Sequence, residues 1–254
     1  MRLDVASLQR FYASPLGETA RRLALARLSA AWEDAADLDL LGIGFPGPYL
    51  ESFPDARRRV IVMPAEQGAC RWPGAGRGAA VLAEETRLPL MDNLFDRVLL
   101  AHALEDSEAP TRLLREVWRV TAPEGRIVVM VANRVGLWSL NEAQPFGHGR
   151  PYTRTQLARL LRNNLFEPVA TARALYLPPL PWRPALALAN TFERLGGLLT
   201  PGLGGVLFME AIKRVSAPPA QAEPMFLRRP LSKPALPPPR ETVNLGAMQH
   251  RESR

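Results

Sequence analysis

A parallel β-sheet with helices packed on its faces is the α/β fold that this sequence predicts. Three observations lead there. The 254 residues are 47% apolar, enough for one large core. Short apolar runs alternate with helical patterns over residues 35–213. The first of those runs leads straight into a glycine-rich turn, Gly42-Ile43-Gly44-Phe45-Pro46-Gly47.

Taken in order, Gly17–Trp32 sets Leu23, Leu25, Leu28 and Trp32 among Arg21, Arg22 and Arg27, the pattern of an amphipathic helix. A first strand, Leu38–Leu41, enters the glycine turn, after which Pro48–Phe53 has room only for a short helix. A second strand is Arg59–Met63. Residues 65–78 hold Trp72, Pro73 and four glycines, so a loop is expected where a doubly wound fold places its second helix. Ala79–Ala83 is the third strand and Phe95–Ala101 the fourth. A helix over Glu108–Val120 and a fifth strand over Arg126–Ala132 follow, the latter introduced by a turn at Pro123-Glu124-Gly125. Then come a loop rich in glycine and aromatics (Val135–Tyr152), a helix from Thr153 to Asn164, a strand near Val169–Tyr176, a helix near Pro184–Leu195 and a last strand near Val206–Lys213.

From about Ser216 the composition changes: the last 39 residues hold eight of the 25 prolines and few apolar side chains to offset the entropy of ordering. The expected organisation is an N-terminal helical segment over 1–34, a domain over 35–215 and a proline-rich, disordered tail over 216–254 that is free to bind a protein partner.

The net charge is +7, and 30 of the 32 basic residues are arginines, Lys213 and Lys233 being the lysines. Those arginines are scattered among acids with no aromatic-interleaved basic block, which argues against nucleic acid as the partner. No stretch approaches the roughly 18 apolar residues of a membrane-spanning helix. The start, MRLDVASLQRFY, lacks the apolar centre of a secretory signal, and the lone Cys70 cannot form an intrachain disulfide, so a cytoplasmic location is expected. His102, His148 and His250 are far apart and one cysteine makes no cluster, so no metal site is expected.

Glycines at 42, 44 and 47 let backbone approach a nucleotide-like ligand, since glycine has no side chain to intervene and tolerates positive φ. Any tight strand-to-helix turn has the same pattern. What distinguishes this chain is the run from Leu82 to Val98, LAEETRLPLMDNLFDRV, which resembles the D-A-x-x-L-P-F-x-D-x-x-F-D pattern of class I S-adenosylmethionine-dependent methyltransferases. Leu99–Glu105 is similar to the strand and loop that end in H-x-L-E there, and Arg115–Arg126 resembles the R-E-x-x-R-V-L-x-P-G-G that follows. The resemblance covers roughly residues 35–213. It implies a Rossmann-like, doubly wound, mostly parallel seven-stranded sheet whose last strand runs antiparallel, with S-adenosylmethionine and acceptor at the carboxyl ends of the strands.

Carried over residue by residue, the resemblance places Gly42, Gly44 and Gly47 beneath the methionine part of the cofactor and Glu84, with Glu85 as the next candidate, near the adenine amino group. His102 falls where residues face the methionine moiety and the acceptor; the alternative is a core histidine touching neither. Two positions depart from the family. Leu40 stands two residues before the first glycine, where an acid is usual and Asp39 is adjacent. Met63 ends the second strand, where an acid normally accepts hydrogen bonds from both ribose hydroxyls; a thioether accepts only weakly, a difference of about 1.5–3 kcal/mol. Glu66 is a substitute from the following loop.

On the acceptor side the candidates are Trp138, Phe146, His148, Arg150 and Tyr152. His148 and Tyr152 join His102 as candidate catalytic residues, His148 as a base for an acceptor that must lose a proton. Tyr12 has the alternatives of closing over the cofactor or packing. An apolar face of Leu186, Leu188, Phe192 and Leu195 is expected to line the acceptor pocket. Two functions follow: methyl transfer to a small molecule, or a non-catalytic binding or scaffolding protein on the same fold, which Leu40 and Met63 favour.

Overall fold

The computed structural model describes residues 2–33, 35–74, 79–141 and 144–214. It begins with two helices, α1 (Val5–Tyr12) and α2 (Pro15–Ala31), capped by the Asp4 and Ser14 side chains, which accept from the backbone N–H groups of Ser7 and Gly17. The second helix begins and ends within two residues of its expected bounds; the first is an addition.

The sheet strands are β1 (Asp39–Gly44), β2 (Arg58–Pro64), β3 (Ala80–Ala83), β4 (Phe95–Ala101), β5 (Thr121–Ala132), β6 (Phe166–Ala174) and β7 (Val206–Lys213). Their spatial order is β3-β2-β1-β4-β5-β7-β6, with β7 antiparallel to both of its neighbours and the other pairs parallel. Alternate residues of each strand enter one of two cores. Leu40, Ile61, Leu99, Val128 and Phe208 join the core that packs on α2, while Leu41, Ile43, Val98, Leu100, Val129 and Met209 face the other way. Against that second core lie α4 (Pro110–Val120) and α5 (Arg154–Asn163), through Leu113, Val117, Leu157 and Leu161. The short α3 (Gly47–Leu50) follows the glycine turn on the α2 side.

Besides the added α1, four elements differ from the sequence reading. β1 runs on to Gly44, so Gly42 and Gly44, expected in the turn, are strand residues and the chain turns only after them. β5 starts five residues early because Thr121 pairs with Phe95 and Arg126 with Arg97, so the expected turn at 123–125 is an outward bulge, with Glu124 at φ 58°. β6 starts at Phe166 and ends where Leu175 takes φ 65°; its register with β7 shifts between Pro168 and Ala170. The helix expected near 184–195 is two, α6 (Arg183–Ala187) and α7 (Ala189–Leu199). Between β2 and β3 the described residues hold a single 3-10 turn, Ala65–Gln67, as the loop reading expects. The proline-rich tail lies outside the described residues.

The motifs of the two resembling runs form one clasp. Arg119 donates to the carbonyls of Leu88 and Leu90 and to Asp92, while Glu116 accepts from the Leu88 N–H at 2.8 Å, fixing the loop that leads into β4. Asp96 accepts from the Asp39 N–H at 2.9 Å, the structural turn role its place at a strand start fits.

Candidate functional site

In an open α/β sheet the crevice for a ligand lies beyond the carboxyl ends of the strands, at the point where the strand order reverses. Here that point is between β1 and β4, where Gly44 pairs with Ala101. Gly44 has φ 92°, and a Cβ on it would lie 2.2 Å from the Ala101 carbonyl oxygen. Its lack of a side chain therefore serves close packing of two strand ends. The same holds for Gly42, whose Cβ would meet the Pro46 ring at 2.2 Å, and for Gly47, whose Cβ would touch Trp72.

Above the turn lies an aromatic cluster. Tyr12, from the end of α1, stacks on Phe45 at 5.6 Å between centroids, and its hydroxyl lies 2.8 Å from the Tyr49 hydroxyl and 2.7 Å from Nε2 of His102. Burial pushes the Tyr12 and Tyr49 phenols well above the ordinary tyrosine value. Phe146 packs on the far side of the His102 ring, 4.8 Å away, and against the buried Trp138. His102 itself takes φ 50°, a left-handed conformation that aims its ring back over the strand ends.

Three buried acceptor atoms beside His102 lack hydrogen-bond donors: Oε1 of Gln67, whose amide donates to the His102 carbonyl, and both oxygens of Glu105. One Glu105 oxygen lies 3.6 Å from Nδ1 of His102, with both side chains 1% exposed. A buried carboxylate left so poorly partnered is costly and is relieved by a cationic ligand.

Glu84 and Glu85 follow β3 and line a cavity of about 410 Å³ with Arg2, Glu66, Glu108 and Arg112. Glu84 is exposed and accepts from Thr86, while Glu85 is engaged by Arg2 and by the Ser107 hydroxyl, each at 2.5 Å. Arg2 also reaches the Ala103 carbonyl, so the N-terminal segment crosses from the end of β3 to the end of β4.

Met63 is 2% exposed and part of the core, and its sulfur accepts from the Cys70 N–H at 3.3 Å. Asp39 stands at the opposite, amino end of β1, tied to Arg57 at 2.6 Å. The carboxylate next to Leu40 is thus structural. For the S-adenosylmethionine that the resemblance implies, the residues present match at one end: Gln67 and Glu105 suit an ammonium group, but the Met63 thioether does not suit the ribose hydroxyls, and Tyr12 packs beside the turn against Phe45, Tyr49 and His102.

On the acceptor side, Nδ1 of His148 lies 3.2 Å from Oδ1 of Asp106, and this pair lines a cavity of about 400 Å³ with Glu105, Ser107, Glu108 and Arg150. The His148 ring is partly exposed while the Asp106 carboxylate is buried, so the carboxylate orients the imidazole from within. Tyr152 belongs to the second core and has its phenol pushed up by burial; its backbone pairs with Ala132 and Arg134, closing the loop after β5. The structure brings His102 and Glu105 together and sets His148 with Asp106 across the same loop. Of the four residues expected to line an apolar pocket, Leu186 and Phe192 pack inward, whereas Leu188 and Leu195 face solvent. That expectation is corrected: the α6–α7 helices pack on α2 by one side only. Glu105, Gln67, Asp106 and Arg2 were not foreseen; H-x-L-E in the sequence was the available signal for Glu105. The described residues contain no group of side chains that could hold a metal ion.

A family model described as a methyltransferase domain matches residues 41–129. No curated protein matches the chain. Among solved structures, a S-adenosylmethionine-dependent methyltransferase of Thermotoga maritima, a possible histamine N-methyltransferase, aligns with TM-score 0.56 at 18% identity, over 83% of this chain and 96% of its own. A chain from the complex of the Haloferax volcanii Trm112 methyltransferase activator with its methyltransferase aligns with TM-score 0.59 at 14% identity, over 84% and 98%. The Burkholderia thailandensis 1,6-didemethyltoxoflavin-N1-methyltransferase, solved with S-adenosylhomocysteine, aligns with TM-score 0.51 at 20% identity, over 77% and 78%. At these identities the likeness is one of fold.

Proposed function

We propose that the chain, whose residues 41–129 match a methyltransferase domain model, is a class I S-adenosylmethionine-dependent methyltransferase with S-adenosylmethionine as cofactor, and that it methylates a small-molecule acceptor held beside the His148–Asp106 pair. That pair carries the reading: a partly exposed imidazole oriented by a buried carboxylate, lining a cavity at the strand ends, is equipped to take a proton from an acceptor as the new bond forms. The bound cofactor supplies an electrophilic methyl group on a sulfonium. Positioning supplies much of the rate in such a displacement, and the chain's own residues provide it. Gln67 and Glu105 would hold the cofactor's ammonium group, Glu84 or Glu85 its adenine end, and His102 would fix the Glu105 carboxylate. Tyr152 keeps the loop after β5 in place.

A second reading, a non-catalytic protein on this fold, is favoured by two observations: Tyr12 packs at the strand ends against Phe45 and His102, and Met63 offers the ribose no carboxylate. Calorimetric titration with S-adenosylmethionine and S-adenosylhomocysteine separates the two. Micromolar binding that weakens at least tenfold in Glu105→Gln supports transfer. No binding by the parent or by Tyr12→Ala overturns it in favour of the second reading.

A further inference from the structure

Of the 14 exposed large apolar side chains among the described residues, ten fall in two stretches, residues 135–140 and 180–203. These stretches adjoin. Asn133 donates to the carbonyls of Gly202 and Gly204, the Trp138 indole N–H donates to the Leu177 carbonyl at 2.8 Å, and the Tyr176 hydroxyl donates to the Pro201 carbonyl. Together they form a rim at the edge of the sheet where β5 and β6 end and β7 begins.

The helix α7 is apolar on two sides. Ala189 and Phe192 face the body of the domain, and Glu193 turns inward to accept from the Tyr176 N–H at 2.8 Å. Leu198, on the side opposite that inward face, is 77% exposed, and Leu195 and Leu199 are exposed beside it, as is Leu188 at the helix start. Trp182 is 63% exposed and Leu140 80%. A helix apolar on both sides has a second surface to bury, and so many large side chains together mark an interaction site.

Among the described residues of the two stretches the exposed charges have one sign. Arg134, Arg183 and Arg194 are exposed, and Glu193 is the sole carboxylate in 133–140 and 176–205. An occupant must therefore be apolar where it meets the leucines and anionic around them. A second copy joined about a two-fold axis would set these arginines against one another. The residues after Arg214 carry six basic side chains against three acidic ones, so they lack the complementary charge.

We propose that this rim docks on an anionic lipid bilayer, with Trp182 and the leucines of α7 entering the interface and the three arginines meeting lipid phosphates. Leucine and tryptophan with flanking arginine are the composition of helices that lie in the membrane plane. Docking there holds the strand-end side of the sheet toward the bilayer, whether or not methyl transfer takes place.

Sedimentation of the full chain with phosphatidylcholine vesicles that contain anionic phosphatidylglycerol, whose surface attracts basic side chains, tests the proposal. Binding is expected, falling about tenfold or more with pure phosphatidylcholine and by a similar factor in Leu198→Glu/Leu199→Glu, whose sites are exposed and whose melting temperature should be unchanged. Binding that is unaffected by the double substitution would place it in charges elsewhere and overturn the proposal. So would absence of vesicle binding, whether sedimentation equilibrium shows a dimer abolished by the same substitutions or a monomer throughout.

Discussion

The hydroxyl of Tyr12 lies 2.7 Å from Nε2 of His102, linking the end of the first helix to the residue that follows β4, 90 positions along the chain. Tyr49 completes the link at 2.8 Å. Tyr12→Phe keeps the ring on Phe45 but leaves an imidazole nitrogen and a phenol without partners. The expected cost is about 1–2 kcal/mol in urea unfolding, and in Tyr49→Phe the same substitution should cost less, since one partner is already gone.

Met63 is the position where the family's pattern calls for an acid. Because its side chain is enclosed in the core and accepts from the Cys70 N–H, Met63→Asp would bury a carboxylate among apolar side chains. The variant should lose about 2–4 kcal/mol of stability at pH 7 and regain part of it as the solution is acidified. Thermal unfolding at several pH values checks this; a stable variant with tighter cofactor binding would show the side chain turning out to the ribose.

His148→Ala should lower methyl transfer by roughly a hundredfold or more for an acceptor that must lose a proton, with S-adenosylhomocysteine affinity unchanged in calorimetry. Asp106→Asn should act in the same direction through the orientation of the ring. A shift of the pH–rate profile in Asp106→Asn distinguishes this role from simple loss of structure.

The Arg57 guanidinium beside Asp39 holds its carboxyl below the ordinary value of 3.8. A depressed folded value means that the pair stabilises the fold above that ordinary value and that the contribution is lost as pH falls through the folded one. The melting temperature of the parent should exceed that of Asp39→Asn at pH 7, and the gap should close below about pH 4.

Much of this was legible in the sequence. Phe95–Ala101 and Val206–Lys213 match β4 and β7 residue for residue, since short, mainly apolar segments between clear turns admit few other pairings. The bulge at 122–125 was read as a turn because Pro-Glu-Gly favours both, and only the pairing with β4 decides between them. The double helix at 183–199 was read as one because its break, at Leu188, carries no glycine or proline. In the site, His148 was visible as a histidine between glycines, but its partner Asp106 was not. Forty-two residues separate them, and only the parallel run of β4 and β5 brings their following loops together. At the glycines the positive φ of Gly44 fits what the sequence suggests, whereas the close neighbours of the missing Cβ positions, from Pro46, Trp72 and the end of β4, lie too far along the chain or depend too much on pairing to be read from it.

The register shift in β6 bears on how copies of this chain meet. Being outermost in the sheet, β6 presents a row of backbone groups to any passing strand, a common route to aggregation. Pro168 removes one donor from that row, and the irregularity between Pro168 and Ala170 bends it, so an incoming strand finds no straight template. Edge-to-edge sheet extension through β6 is thereby disfavoured, and crowding at high concentration should yield reversible association through side chains before it yields fibrils.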